Sequence, residues 1–146
     1  MSFIYSQNCL SEKVLSAFLE ENFIQFHPSF SEFCVNTNYS HKLYVNATTF
    51  EVWHENVLVG LICAYLNFEQ KVMYIPYVCI SKQYSGMGLA SGLFDELFKY
   101  CVDNTLTRIS LEVRENNISA ISLYKKVGFQ EICKKEDKLL MNKYLE

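Results

Sequence analysis

The chain has 146 residues, half of them hydrophobic, and carries a formal net charge of −3 at neutral pH. This length suits one domain with a single sizeable core, and the composition excludes disordered and fibrous proteins. The sequence contains two arginines and no lysine cluster, so we expect no basic face and no nucleic-acid partner.

Membrane and metal partners are not expected either. The longest continuous apolar run, residues 57–66, is too short to span a bilayer. The N-terminus lacks a charged segment followed by an apolar stretch, so we expect no signal peptide and a cytoplasmic protein. The cysteines form no C-x-x-C pair and the histidines lack ligand spacing, which favours free thiols and no metal site.

The first third of the chain predicts a short strand followed by a helix. Residues 3–5 fit the strand, and Ser11 fits the cap of a helix with an apolar stripe that ends near Asn22. The following segment is rich in Phe, Ser, Asn and Tyr, and we expect helical turns at residues 31–37 and 40–45.

The middle of the chain predicts strands. Residues 49–54 alternate between apolar and polar, Glu55 and Asn56 form a polar break, and residues 57–67 are strongly apolar, which indicates a hairpin. Residues 74–80 then form a nearly unbroken apolar and aromatic run, as expected for a strand buried on both faces. Pro76 cannot donate to a ladder, so this strand is either bulged or splayed from its neighbour, or lies at a sheet edge.

A glycine turn follows that strand and leads directly into a helix. Gly86 and Gly88 form the turn, and apolar residues recur every four positions from Leu89 to Cys101. The first N–H groups of a helix lack internal partners and attract anions, so the turn fits a pyrophosphate cradle. The alternative is an ordinary strand-to-helix turn with no ligand.

The last third predicts a strand, a helix and a hairpin. Residues 108–113 alternate as a strand, and Asn116 or Asn117 caps a helix that Gly128 ends. Residues 131–145 fit a final hairpin. We therefore expect one α/β domain over residues 1–146, with hairpins first and a strand–helix–strand–helix core second.

Two local patterns, in this order, resemble the GNAT superfamily of acetyl-CoA-dependent N-acetyltransferases. Residues 85–90 are similar to its Arg/Gln-x-x-Gly-x-Gly/Ala loop, with Ser85 where arginine or glutamine is usual. Residues 117–129 are similar to its Asn-x-x-Ala-x-x-x-Tyr-x-x-x-Gly-Phe helix. The resemblance covers roughly residues 57–129. It implies a GNAT-like mixed central sheet with a splayed middle pair of strands, flanked by helices.

The resemblance also implies how acetyl-CoA is bound as the cosubstrate. Backbone amides of the glycine loop would hold the pyrophosphate, although the cation usual at Ser85 is missing. The pantetheine arm would pair with the free edge of the central strand and contact Asn117, whose alternative role is a helix cap. The residues implied in binding are Val78, Cys79, Ile80, Gly86, Met87, Gly88, Leu89, Ala90, Ser91 and Asn117.

Two catalytic roles come with the resemblance. Tyr124 aligns with the tyrosine that protonates the departing CoA thiolate, and a phenol is protonated at neutral pH as this role requires. Glu112 aligns with the general base of ribosomal-protein N-terminal acetyltransferases. The alternatives are a core tyrosine and a solvent-facing glutamate. A backbone N–H near Val78 would bind the developing oxyanion.

The acceptor is expected to be a primary amine on a small molecule, an amino sugar or a protein N-terminus, and the acidic balance slightly disfavours acidic acceptors. The oligomeric state is open, with a homodimer as one option. The alternative function is a non-catalytic acyl-CoA sensor or scaffold module. Aromatic residues and one histidine that could line the acceptor pocket, or simply pack in the core, are Phe26, His27, Phe30, Trp53, Tyr65 and Tyr77.

Overall fold

The computed structural model describes residues 1–22 and 39–145. Within these ranges the chain forms a seven-stranded mixed sheet with helices on both faces. No helix in the described part is long and apolar enough to cross a bilayer. The elements in chain order are β1 (Ile4–Gln7), α1 (Glu12–Asn22), α2 (Tyr39–Asn46), β2 (Thr48–His54), β3 (Val57–Asn67), β4 (Val72–Ile80), α3 (Leu89–Asp103), β5 (Arg108–Arg114), α4 (Ile118–Lys126), β6 (Gln130–Lys135) and β7 (Lys138–Tyr144).

The strands lie in the order β1-β2-β3-β4-β5-β7-β6. Strands β4 and β5 are parallel, and every other neighbouring pair is antiparallel. Helix α3 connects the parallel pair, as a crossover between parallel strands requires. The mixed sheet, the β2–β3 hairpin and the final β6–β7 hairpin confirm the fold class expected from the sequence.

Apolar clusters cover the two faces of the sheet. On one face, α3 and α4 pack with buried residues such as Leu93, Phe94 and Ile109. On the other, α1 and α2 pack against β3 and β4 through residues such as Leu15 and Leu43. Each helix therefore lies on the sheet through one apolar stripe, which is the pattern that the sequence periodicity predicts.

The sheet opens between β4 and β5. Their parallel pairing runs from Val72 opposite Arg108 to Ile75 opposite Leu111, and it stops there although both strands continue. On its other side, β4 remains paired with β3 as far as Ile80, across a register shift opposite Ala64. Strand β5 likewise remains paired with β7 over its whole length. The splay expected near Pro76 is therefore present, and it is accompanied by a bulge.

A buried carboxylate ties the first strand to the rest of the sheet. Glu51 on β2 has no solvent exposure and accepts hydrogen bonds from the hydroxyl of Ser6 at 2.6 Å, the amide of Cys9 at 3.1 Å and the hydroxyl of Thr49. The indole N–H of Trp53 donates to the same Ser6 oxygen at 2.8 Å. Because the carboxylate accepts from several donors, these buried polar groups are satisfied.

Replacing this carboxylate is expected to destabilise the protein. Glu51→Ala removes the acceptor of one buried and two partly buried hydrogen bonds, from Thr49, Ser6 and Cys9, and we expect the free energy of unfolding to fall by about 2–4 kcal/mol. Glu51→Gln keeps one acceptor oxygen and is expected to lose less. Urea denaturation measures the change.

Glu55→Gln is the matched control, because the Glu55 side chain is 84% exposed. It should change the free energy of unfolding by less than about 0.5 kcal/mol. A Glu51→Ala variant as stable as this control would show that the hydrogen-bond network contributes nothing to stability.

Candidate functional site

The parting of β4 and β5 leaves a groove of about 430 Å³. Four of the expected catalytic and cofactor-binding residues line it: Val78, Glu112, Asn117 and Tyr124. The remaining lining residues are Tyr74, Ile75, Pro76, Tyr77, Leu111, Val113, Arg114, Asn116 and Lys138. A larger depression of about 870 Å³ lies at the β1 edge of the sheet; it is lined by Trp53, one of the candidate acceptor-pocket residues, but by none of the expected catalytic or cofactor-binding residues.

Tyr124 lies on α4, and its phenol ring packs in an aromatic cluster. Its ring centroid lies 6.0 Å from that of Phe94 and 6.0 Å from that of Phe129. Helix α4 presents Tyr124 to the core on the same stripe as Ile121, while Gly128 ends the helix with a positive φ of 110°. Burial in this apolar setting raises the pKa of Tyr124, and nearby Cys79 adds to the effect. The phenol is therefore a proton donor throughout the neutral range.

Asn117 is the N-cap of α4. Its Oδ1 accepts a hydrogen bond from the amide of Ala120 at 3.2 Å, which resolves the choice between Asn116 and Asn117 left open by the sequence. The side chain also lines the groove. Its Nδ2 has no protein acceptor among the described residues and can donate into the groove, so capping and ligand contact are compatible.

Glu112 has a partner that the sequence patterns did not identify. The hydroxyl of Tyr74 donates to Glu112 Oε1 at 3.3 Å. Burial, followed by the charge of Glu112 and this hydrogen bond, raises the pKa of Tyr74 to about 12. Tyr74 therefore keeps its proton and holds the carboxylate at the groove. The nearly unbroken apolar and aromatic run around Pro76 predicted a strand but gave no sign of this contact.

The carboxylate and the buried phenol lie on opposite faces of the sheet. Tyr74 is paired with Ser110 on β5, so Glu112, two residues further, shares its face. The intervening Leu111 belongs to the apolar cluster that contains Tyr124. The groove therefore passes between the strands, with an exposed carboxylate on one side and a buried proton donor on the other. This arrangement suits a reaction in which one group loses a proton and another gains one.

The glycine loop forms an open set of amides beyond the end of β4. Gly86 and Gly88 both have a φ of 77°, and a Cβ added to either would meet no atom within 4 Å. Helix α3 begins at Leu89 with no side-chain cap, and Gly92 is the first residue whose N–H bonds back, to Gly88 O at 3.1 Å. In the described chain the N–H groups from Gly86 to Ser91 have no backbone acceptor, which favours an anion there.

The other residues expected at the site lie close to these features. Cys79 is buried, its thiol donates to Ile80 O at 3.7 Å, and burial raises its pKa to about 12. It is therefore a neutral thiol at neutral pH, in which form it is a weak nucleophile. Ile80 ends β4 opposite Gly60. Ser85 is exposed, and its hydroxyl donates to Lys82 O at 2.8 Å.

Charged residues surround the end of the groove nearest the β6–β7 turn. Arg114 forms an ion pair with Asp137 at 2.6 Å, and Lys134 forms one with Glu115 at 2.5 Å. The backbone N–H of Glu115 donates a hydrogen bond to the carbonyl oxygen of Asp137 at 2.8 Å. Lys138, the cross-strand partner of Arg114, lines the groove itself. Lys138 was missed from the sequence because its position depends on strand register.

The expected acceptor-pocket residues do not all lie in one place. Tyr77 lines the groove, Tyr65 lies on β3 opposite Tyr74, and Trp53 lies in the Glu51 network away from the groove. Phe26, His27 and Phe30 lie outside the described residues, as do the helical turns expected at residues 31–37.

Comparison with known proteins gives matches over the part of the chain that contains most of the groove residues. Residues 12–129 match the family model described as the acetyltransferase (GNAT) family. A protein of Drosophila melanogaster named probable N-acetyltransferase san is 30% identical over 87 residues, covering 58% of this chain and 47% of that protein. A Bacillus subtilis (strain 168) protein named as a ribosomal protein bS18-alanine N-acetyltransferase is 39% identical over 56 residues, covering 38% and 37%. The matches span less than half the length of each relative.

Solved structures share the fold. The PaiA N-acetyltransferase from Thermoplasma acidophilum, in complex with coenzyme A, has a TM-score of 0.87 at 16% identity, covering 99% of this chain and 100% of that chain. The ribosomal-protein-S18-alanine N-acetyltransferase from Escherichia coli has a TM-score of 0.73 at 18% identity, covering 98% and 94%. At these identities the likeness concerns the fold.

The buried phenol predicts a pH dependence of stability. Tyrosines in the unfolded chain ionise near pH 10, whereas folded Tyr124 keeps its proton to higher pH, so the folded state binds more protons above pH 10. Its stabilising contribution is therefore complete below pH 10 and is lost as the pH rises. We expect the free energy of unfolding of the wild type to fall more steeply than that of Tyr124→Phe, by about 1.4 kcal/mol at pH 11.

Urea unfolding at pH 8, 10 and 11 measures this difference. Tyr44→Phe is the control, because Tyr44 is 42% exposed on α2 and lies outside the apolar cluster that contains Tyr124. Parallel curves for the wild type and Tyr124→Phe would contradict the assigned burial of the phenol.

Proposed function

Since the chain belongs to the acetyltransferase (GNAT) family, we propose that it transfers an acetyl group from acetyl-CoA to a primary amine. The observation that carries this proposal is the groove between β4 and β5, with Glu112 and Tyr124 on its two sides. A sheet opened at this point can admit a thioester between two strands, with a proton acceptor and a proton donor beside it.

The glycine loop supports binding of the diphosphate of acetyl-CoA. The amides from Gly86 to Ser91 have no backbone acceptor, and the glycines leave open space above them. The positive end of the α3 dipole adds to the attraction for an anion. Ser85 contributes no cation, so binding relies on amides rather than on a side-chain charge.

The open edge of β4 supports binding of the pantetheine arm. Beyond Ile75 the strand has no β5 partner, so the side of Val78, Cys79 and Ile80 that faces away from β3 is available to an amide-bearing ligand. A backbone N–H near Val78 would then stabilise the oxyanion. Asn117 would contact the arm through Nδ2.

In the proposed reaction, a residue on one side of the groove accepts a proton and a residue on the other side donates one. The neutral amine attacks the thioester carbonyl. Glu112, held by its hydrogen bond from Tyr74, accepts a proton from the amine, directly or through a water molecule. A C–N bond forms and the C–S bond breaks. Tyr124 donates its proton to the leaving thiolate. The raised pKa of Tyr124 keeps the phenol protonated until this step.

Comparison with relatives favours an amine on a protein N-terminus over a small molecule. The similar Bacillus subtilis protein is named for acetylation of an alanine of ribosomal protein bS18. The end of the groove that contains Glu112 and Lys138 is open to solvent, which suits an extended acceptor. A module that binds acyl-CoA without chemistry remains the alternative outcome of the experiments below.

The binding mode is tested by pairing a loop variant with a truncated ligand. Gly88→Val forces a β-branched residue into a φ of 77° and puts methyl groups where the diphosphate would lie. We expect calorimetry to give at least a tenfold loss of affinity for acetyl-CoA. Affinity for acetylpantetheine, which lacks the diphosphate, should change less than twofold. Equal losses for both ligands would contradict a diphosphate site in this loop.

The assignment of the proton donor is tested by Tyr124→Phe. We expect kcat for acetyl transfer to fall about 100-fold or more, because loss of a general acid typically has this effect. The Kd of acetyl-CoA should change less than twofold. Mass spectrometry of a panel of amines and N-terminal peptides measures the product.

Tyr44→Phe again serves as the control and should retain full activity. A Tyr124→Phe protein with the wild-type kcat would remove the role assigned to this phenol. Tight binding of acetyl-CoA by the wild type, with no amine acetylated and no CoA released, would favour the sensor.

A further inference from the structure

The groove end that faces the acceptor carries one cation whose charge is not used within the described protein. Arg114 pairs with Asp137, Lys134 with Glu115 and Lys125 with Glu131. Lys138 lines the groove, is exposed, and has no carboxylate within 4.0 Å among the described residues. Its ammonium group is therefore available to a ligand.

Lys138 and Glu112 lie on the same face of the sheet. Lys138 is the register partner of Arg114, and Glu112 is two residues from Arg114 along β5, so all three side chains project from one face. From strand geometry, the Cα atoms of Lys138 and Glu112 are about 8 Å apart. This end of the groove thus presents an anion and a cation at a fixed separation.

We propose that the acceptor is a primary amine carrying a carboxylate on the order of 5–8 Å from the amine, with Lys138 contacting that carboxylate while the amine lies beside Glu112. Such an acceptor is a polypeptide with an acidic side chain at its first or second residue, or a free dicarboxylic amino acid. This separation is about two residues of extended chain or less. The inference rests on the proposed acetyl transfer and names its substrate class.

The charges at the groove oppose the expectation from the net charge of the whole chain. A net charge of −3 acts against acidic ligands at long range. At physiological salt the Debye length is about 8 Å, so charges further from the bound carboxylate are largely screened. Lys138 is close enough to dominate the interaction with the acceptor carboxylate.

The first experiment compares peptides that differ in one side chain. Three peptides, identical except for Glu, Gln or Lys as their second residue, are acetylated by the wild type, and kcat/KM is measured by mass spectrometry. We expect kcat/KM to decrease in the order Glu, Gln, Lys, with a ratio of Glu to Gln of about 3- to 5-fold, as a partly exposed ion pair provides. In 0.5 M NaCl the ratio should fall towards unity.

Charge substitution at Lys138 tests the assignment directly. Lys138→Gln should bring the three peptides within about twofold of one another, and Lys138→Glu should invert the order. Lys135→Gln is the matched control: Lys135 has the same charge, faces Lys138 across the same hairpin, and does not line the groove. It should preserve the wild-type preference.

Free glutamate and aspartate form the second arm, which identifies the source of the carboxylate. Acetylation of these amino acids with the same dependence on Lys138, and none of the peptides, assigns a small dicarboxylic acceptor. The same preferences are measured as binding to protein saturated with CoA, so slow chemistry does not hide them. A wild type without any preference for an acidic acceptor, in either arm, overturns the inference.

Failure of the proposed function looks different. In that case acetyl-CoA is not bound, or no amine of any charge is acetylated. Acetylation of neutral amines with equal kcat/KM for all three peptides contradicts only the role of Lys138.

Discussion

The structure depends on an interruption of a single ladder, between β4 and β5. A central strand that loses its partner exposes backbone groups, and each such group is unfavourable unless water or a ligand satisfies it. The protein limits this to one side of each strand, because β4 stays paired with β3 and β5 stays paired with β7. Pro76, which has no N–H, lies at the point where pairing ends and removes one donor that would otherwise be orphaned.

The same burial that stabilises the helical face also sets the chemistry of the phenol. Phe94 and Phe129 contact Tyr124, and Phe98 packs against both of these phenylalanines, so the Tyr124 ring is held by aromatic packing. A desolvated phenol disfavours its anion. In the proposed reaction, the phenolate left after donation would be unfavourable in this setting and would have to be reprotonated quickly. The packing fixes the position of the ring and keeps the phenol protonated.

The sequence was most informative where structure depends on neighbours along the chain. The apolar period of α3, the cap at Asn117 and the missing donor at Pro76 are local features, and each predicted its element and part of the site. The Tyr74–Glu112 hydrogen bond and the position of Lys138 depend on which residues face one another across strands. A shift of one residue in register would move these side chains to the other face, and local propensity does not determine register. The roles of Phe26, His27 and Phe30 stay predictions.

Net charge and fold class describe the whole chain, whereas the proposed choice of acceptor depends on charges within a few ångströms of Glu112. Around the β6–β7 turn, most cations are matched by carboxylates that belong to the protein itself, which leaves the turn neutral and structurally tied to the loop before α4. Against this neutral surrounding, Glu112 and Lys138 form a local dipole at the mouth of the groove. A ligand with one charge gains from one end of this dipole and is repelled by the other. An acceptor with both charges gains from both ends, provided that their separation matches that of the two side chains. Orientation follows from the same argument, since the reversed pose places the ammonium beside Lys138 and the carboxylate beside Glu112.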